Sequence, residues 1–266
     1  MVEEMTLPFA NLPPGFDGAT IAVLSDLHAD VRRGGADGVR RVVEAANSLE
    51  PDLIVLLGDT IHRPERAGDY LPLLSGLEAR HGVWACLGNH EHGFVWFSRY
   101  LGETPGPSPD EWRAIYARVG IELLVNEARP LQHRGSRLWL VGIDDAYSHH
   151  DDLPGALRDA RSDEFCLGIT HHPDVVDHPR IGELDLLLAG HTHGGQVHVP
   201  LLGPVHVSCR RPRERTAGIV RTNGTVMYVT RGVGEAIPIR IGCPRELPAI
   251  TLRSDGSVGT EATDVR

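Results

Sequence analysis

The sequence contains no lysine; all 26 of its basic side chains other than histidine are arginine. That absence excludes any mechanism built on a lysine nucleophile or a lysine Schiff base. Cysteine is scarce, and Cys86, Cys166, Cys209 and Cys243 form neither a CxxC pair nor a zinc-ribbon spacing. Cys86 and Cys166 lie inside apolar runs and read as small core residues, so nothing demands an oxidising compartment. Positive charge is in deficit: the formal net charge is −10, which argues against specific nucleic-acid binding, because phosphate contacts need a basic face. Long apolar stretches are missing too. The N-terminal MVEEMTLPFANLPPGFDG is acidic and broken by proline, so it is neither a signal peptide nor a membrane span. A cytoplasmic protein, at most peripheral to a membrane, is the expectation.

What is present suits a globular protein: 266 residues, 41% hydrophobic and 23% charged, can bury a sizeable core. No internal repeat, low-complexity tract or linker divides the chain. We therefore expect a single domain over 1–266, with a catalytic core at about 18–253 and a polar tail over 254–266.

Apolar runs of strand length recur, each ending in polar residues: TIAVLSDLH (20–28), DLIVLLGDT (52–60), GVWACLGNHEH (82–92), EFCLGITHHPD (164–174) and DLLLAGHTH (185–193). Near-continuous apolar strands imply a sheet covered on both faces. Helical spacing of Val39, Val42, Val43, Ala46 and Leu49 predicts a helix over 38–50, ending before Pro51. Further helices are expected over 70–80 and 109–119, the latter with Pro109 in its first turn. Strand, helix and strand in succession imply parallel crossovers and an α/β class.

In such sheets functional groups gather beyond the carboxyl ends of the strands. All five runs deliver metal-competent or proton-transfer side chains there: Asp26 and His28, Asp59, Asn89 and His90, His171, then His191 and His193. Oxygen donors mixed with imidazoles suit Mn²⁺, Fe²⁺ or Zn²⁺, whereas a structural zinc site would use thiolates. Seven ligands are too many for one ion. Two divalent ions about 3.5–4 Å apart, sharing one carboxylate, would use them all and leave room for water and substrate.

In order, SDLH, LGDT, LGNHEH, ITHHPD and AGHTHGGQ match the DxH, GD, GNH, H and GHxH signature, and the chain resembles the calcineurin-like metallophosphoesterase superfamily. Sequence flanking the motifs extends the resemblance over roughly residues 7–252. It is similar to a bacterial branch of cell-envelope phosphodiesterases that includes UDP-2,3-diacylglucosamine pyrophosphatases of lipid A synthesis. The resemblance implies a four-layer αββα sandwich of two mixed β-sheets flanked by helices. It implies Asp26, His28 and His193 on one metal, Asn89, His171 and His191 on the other, and Asp59 bridging them. His90 would be the general acid, protonating the leaving oxygen while a metal-bridging hydroxide attacks phosphorus.

The expected activity is that of a dinuclear metal-dependent phosphodiesterase acting on a small-molecule phosphate ester, nucleotide or lipid-linked. The alternatives are a lipid A pathway pyrophosphatase and a non-catalytic metal-binding scaffold. Relatives in this branch often carry an N-terminal membrane segment; this chain starts just before the catalytic domain.

One departure stands out: where many family members carry an acidic residue three places after the bridging aspartate, this chain has His62. A second imidazole near His90 would not raise its basicity as a carboxylate does. Of the adjacent histidines, His171 is favoured as the ligand and His172 as a neighbour. His149 and His150 are expected on an exposed loop, while Asp144 and Asp145 are candidates to face the cleft. FVWFSRY (94–100) is expected to pack in the core and is a candidate wall for an acyl or nucleoside group. Arg231 and Arg240 are candidates to hold a substrate phosphate bidentately.

Overall fold

The computed structural model describes residues 2–93, 106–199, 201–235, 237 and 239–255. Alternation along each strand sorts side chains between layers. In β2 (Thr20–Leu24), Ile21 and Val23 enter one core while Ala22 and Leu24 enter another. In β3 (Leu53–Leu57), Leu53, Val55 and Leu57 separate from Ile54 and Leu56 in the same way. Both faces are apolar, so both must be covered.

The first sheet has six strands in the order β1 (Val2–Phe9), β14 (Leu247–Ser254), β2, β3, β4 (Val83–Cys86) and β5 (Ile121–Leu123). Strands β2 to β5 are parallel, and β14 runs antiparallel to β2. The second sheet has the order β12 (Gly218–Thr222), β13 (Thr225–Val229), β9 (Leu186–Ala189), β8 (Cys166–Ile169), β7 (Ser136–Gly142) and β6 (Glu127–His133), with parallel pairing from β13 to β7 and antiparallel edges. The sheets share one core, in which Val23, Val55 and Leu57 meet Leu140, Ile169 and Leu188.

The outer face of the first sheet is covered by helix Gly35–Asn47, through Val39, Val42, Val43 and Ala46, and by helix Pro109–Ala117, through Trp112 and Tyr116. On the second sheet the outer layer is thinner, built of short helical turns that contribute Leu153, Val175, Val176 and Ile181. The result is an α/β sandwich of four layers with two mixed sheets.

Local differences from expectation have physical causes. The first helix runs from Gly35 to Asn47, three residues earlier than its apolar pattern, because Gly34 adopts a left-handed φ of 96° and turns the chain into it. Over 70–80 no long helix forms: Ala67–Tyr70 is helical, Leu71–Leu74 is a 3₁₀ turn, and Pro72 and Gly76 interrupt the rest. The third helix begins as expected at Pro109, where Ser108 and Glu111 form a capping box. The segment before residue 18 also contributes to the sheet, since β1 pairs with β14 along its whole length and buries Leu7 and Phe9. As an edge strand it tolerates Pro8. Residues 94–100 and the expected tail from 256 to 266 lie outside the described residues.

Candidate metal centre

Strands β2, β3, β4, β8 and β9 end at one edge of the sandwich, and the loops that follow are tied to one another. The Asp26 N–H donates to the Gly58 carbonyl at 3.2 Å, that of His28 to Asp59 at 2.9 Å, and that of Gly190 to His171 at 2.8 Å. The loops approach closely because glycine stands where they touch: a Cβ on Gly88 would overlap the Asp59 carboxylate, and one on Gly190 would overlap Ser25 and Asp26. Backbone conformation is unusual here. Asp26, His28, Asp59, His191 and His193 all have positive φ, between 42° and 67°, a left-handed conformation that costs a residue with a Cβ about 1–2 kcal/mol. Such strain persists only where the surroundings over-determine it, and it gathers at functional sites.

These turns bring all seven sequence-predicted ligands together in two clusters. In the first, His193 Nε2 lies 3.3 Å from Asp26 Oδ1 and 3.3 Å from His28 Nε2. In the second, His191 Nδ1 lies 3.1 Å from both Asn89 Oδ1 and His171 Nε2. Asp59 stands between them, its Oδ2 3.6 Å from His28 Nε2 and 3.3 Å from His171 Nε2. His90 Nε2 faces the same oxygen at 3.8 Å.

The donor set fits divalent cations. Asp26 Oδ1 is buried and receives no hydrogen bond, a state that is expensive for a carboxylate oxygen without a cation. His171 Nδ1 lies 2.7 Å from the Leu57 carbonyl, which can only accept. Nδ1 therefore carries the proton, leaving Nε2 to point its lone pair inward. Burial lowers His171, but the Asp59 carboxylate outweighs it and holds the imidazole well above its ordinary range. Burial pushes Asp59 up, yet His171 and His90 hold it well below the usual carboxylate range. A divalent cation would replace the proton that joins this pair. Burial, together with neighbouring imidazoles, pushes His28 and His191 well down, so both favour the neutral state that binds metal.

Glu91 belongs to the site and was not singled out from the sequence. It is fully buried, and its carboxylate accepts from the backbone N–H groups of Asp59 at 2.9 Å, Thr60 at 2.8 Å and Gly88 at 2.9 Å. It thereby fastens the loop carrying Asp59 to the loop carrying Asn89 and His90. The only signal in the sequence is its place directly after GNH.

His62 does lie beside His90, with ring centroids 4.2 Å apart. The group that orients His90 is the His62 backbone carbonyl, which accepts from Nδ1 at 2.9 Å. The His62 imidazole is pushed down to about 4, by burial and then by His90, so it stands neutral beside His90. His172 is engaged outside the clusters: its Nε2–H donates to the Ser208 carbonyl, and its Nδ1 accepts from the Asp174 N–H.

Arg231 is placed differently from expectation. Its guanidinium pairs with the buried Glu246 and with Glu3 of β1, so it is not free to clamp a phosphate. Arg240 is likewise committed, donating to the carbonyls of His193, Arg231 and Gly234. Asp144 is buried and bonds His92 at 2.8 Å, while Asp145 accepts from the N–H groups of Tyr147 and Ser148. His149 and His150 are exposed as expected, and His150 stacks on His92.

Two cavities flank the clusters. One of about 650 Å³ is bordered by Tyr147, His149, His172, Asp174 and Arg210. The other, of about 370 Å³, touches His191 and His193 and has apolar walls of Val197, Val205, Ile237 and Ile239.

Residues 19–195 match the family model described as calcineurin-like phosphoesterase, and that span contains all seven clustered side chains together with His90 and Glu91. The uncharacterized metallophosphoesterase YkuE of Bacillus subtilis is 30% identical over 256 residues, covering 94% of this chain and 85% of its own length. The phosphodiesterase YaeI of Escherichia coli is 30% identical over 206 residues, covering 76% of this chain and 71% of its own. The crystal structure of phosphopantetheinyl hydrolase PptH from Mycobacterium tuberculosis shares the fold, with a TM-score of 0.51 at 15% identity over 84% of this chain and 91% of that one.

Proposed function

The chain belongs to the calcineurin-like phosphoesterase family, and on that premise we propose that it is a dinuclear metal-dependent phosphodiesterase. The observation that carries the reading is the convergence of seven side chains in two clusters that share Asp59. Asp26, His28 and His193 would hold one divalent ion, Asn89, His171 and His191 the other, with Asp59 between. Bound there, Mn²⁺, Fe²⁺ or Zn²⁺ would neutralise charge on the phosphorus oxygens and make water acidic enough to act as a nucleophile near neutral pH.

The protein's own part is orientation and proton transfer. Leu57 fixes the tautomer of His171, and Glu91 fixes the loops on either side of Asp59. His90 keeps Nδ1–H on the His62 carbonyl, which leaves Nε2, facing the clusters, as the atom that would pass a proton to the leaving oxygen. His90→Ala should lower kcat about 10²- to 10⁴-fold, with metal content per chain unchanged by elemental analysis. Loss of metal in that variant would make His90 a ligand rather than the acid.

The reading is tested by turnover of bis-p-nitrophenyl phosphate against p-nitrophenyl phosphate with the Mn²⁺-loaded chain. Preferred cleavage of the diester, abolished by EDTA, is expected; equal or faster cleavage of the monoester would overturn the diesterase assignment. A second reading, hydrolysis of a lipid-linked pyrophosphate, gains support from the apolar cavity beside His191 and His193. A matched pair of substrates with and without an acyl chain separates the two, since the lipid reading requires the acylated one to be favoured.

A further inference from the structure

Away from both clusters, a cavity of about 490 Å³ lies between the helix Gly35–Asn47 and residues Val233, Arg240 and 244–247. Four arginines line it: Arg32, Arg41, Arg240 and Arg245. Its remaining wall is apolar, from Val2, Val42, Ala45, Val233, Pro244 and Leu247, apart from Glu246, whose carboxylate is already paired with Arg231.

Charge in and around this cavity does not balance. Arg245 pairs with Glu235, which also lies 3.5 Å from Arg240 Nε, and Arg231 takes up Glu246 and Glu3. Five guanidinium groups thus share three ion-paired carboxylates among the described residues, in a protein whose net charge is −10. The surplus falls on Arg32 and Arg41, which form no ion pair among the described residues. Among the described residues the half-buried Arg32 bonds only the Val233 carbonyl and leaves its Nε buried without a partner. Burial, with Arg245 and Arg41 close by, pushes Arg32 down to about 10. Buried guanidinium groups are normally paired, because desolvation without a counter-charge is costly.

We propose that this cavity is an accessory site for a phosphate-class oxyanion carried on a small organic molecule, held by Arg32 and Arg41 with its organic part against the apolar wall. Guanidinium forks match phosphate and carboxylate oxygens bidentately. The site is joined to the metal centre through Arg240, which lines the cavity and donates to the His193 carbonyl at 3.1 Å. Its existence does not depend on the diesterase reading.

The test is titration calorimetry of the full metal-loaded chain with phenylphosphonate, which has no ester bond to cleave, and with inorganic sulfate. Anions also bind at metal centres, so each titration is repeated with Asp59→Asn, Arg41→Gln and Arg32→Gln. We expect a phenylphosphonate-binding event that survives Asp59→Asn and weakens at least about tenfold in each arginine variant, the equivalent of one charge-assisted hydrogen bond. Arg41 is exposed and makes no hydrogen bond among the described residues, so Arg41→Gln should keep the wild-type Tm even if Arg32→Gln does not. Sulfate binding as tightly as phenylphosphonate would overturn the organic part of the proposal and leave a free-oxyanion site. Binding unchanged by both arginine substitutions, lost only in Asp59→Asn, or absent altogether would overturn the site itself.

Discussion

Asp59→Asn is expected to lower turnover by at least about a thousandfold, because a metal acting on phosphate oxygens is worth several kcal/mol and each 1.36 kcal/mol is tenfold in rate. The substitution is close to isosteric, and asparagine tolerates the left-handed φ of 48° at this position better than most residues do. Oδ1 can remain a carbonyl oxygen and still accept from the His90 N–H at 3.0 Å. The atom replacing Oδ2 becomes a donor pointed at His28 and His171, and the negative charge between the clusters disappears. The fold should therefore survive while the shared ligand is lost. Elemental analysis should find less than the wild-type metal content, with an unchanged circular dichroism spectrum. Full turnover in a variant with intact structure would remove Asp59 from the bridging position.

Glu91→Ala should be the most destabilising single change near the site. It strips the acceptor from four buried N–H groups, those of Asp59, Thr60, Ile61 and Gly88, and each unmet buried donor costs about 1–3 kcal/mol. A total of about 4–12 kcal/mol corresponds to a Tm lower by on the order of 10 °C or more for a chain of this size. The cavity left by the side chain adds to the loss. Metal affinity should fall with it, by about 10- to 100-fold, as for other residues that orient ligands without touching the ion. Glu91→Gln keeps one acceptor oxygen and should fall between the two. A Tm within about 1 °C of wild type for Glu91→Ala would mean that the loops hold themselves, as for an ordinary surface substitution.

That these seven side chains gather at one edge could be read from the sequence because two simple regularities coincide. Buried parallel strands are uninterrupted apolar runs, and such sheets place their polar residues just past the strand ends. His191 and His193 were visible in this way, and so was Asp59. What the chain hides is anything that depends on a distant partner. Arg231 meets Glu3, 228 positions away, so nothing near TRGVG signals that its charge is already taken. Glu91 resembles any surface glutamate until four backbone donors converge on it. In the strand Val2–Phe9, Met5, Leu7 and Phe9 alternate with Glu4, Thr6 and Pro8 without a continuous apolar run, and its pairing with β14 is what identifies it. At His90 the sequence pointed to the right neighbour and the wrong atom, because residue identity does not say which backbone carbonyl faces inward.

The five left-handed residues at the strand ends carry a cost that glycine would remove. At about 1–2 kcal/mol each, they hold back an amount comparable to the 5–15 kcal/mol net stability of a typical domain. Selection for thermal stability alone would therefore drift toward glycine or asparagine at positions 26, 28, 59, 191 and 193. A design effort that raises the melting temperature of this scaffold by relieving backbone strain would act on the very residues that the proposed metal centre requires.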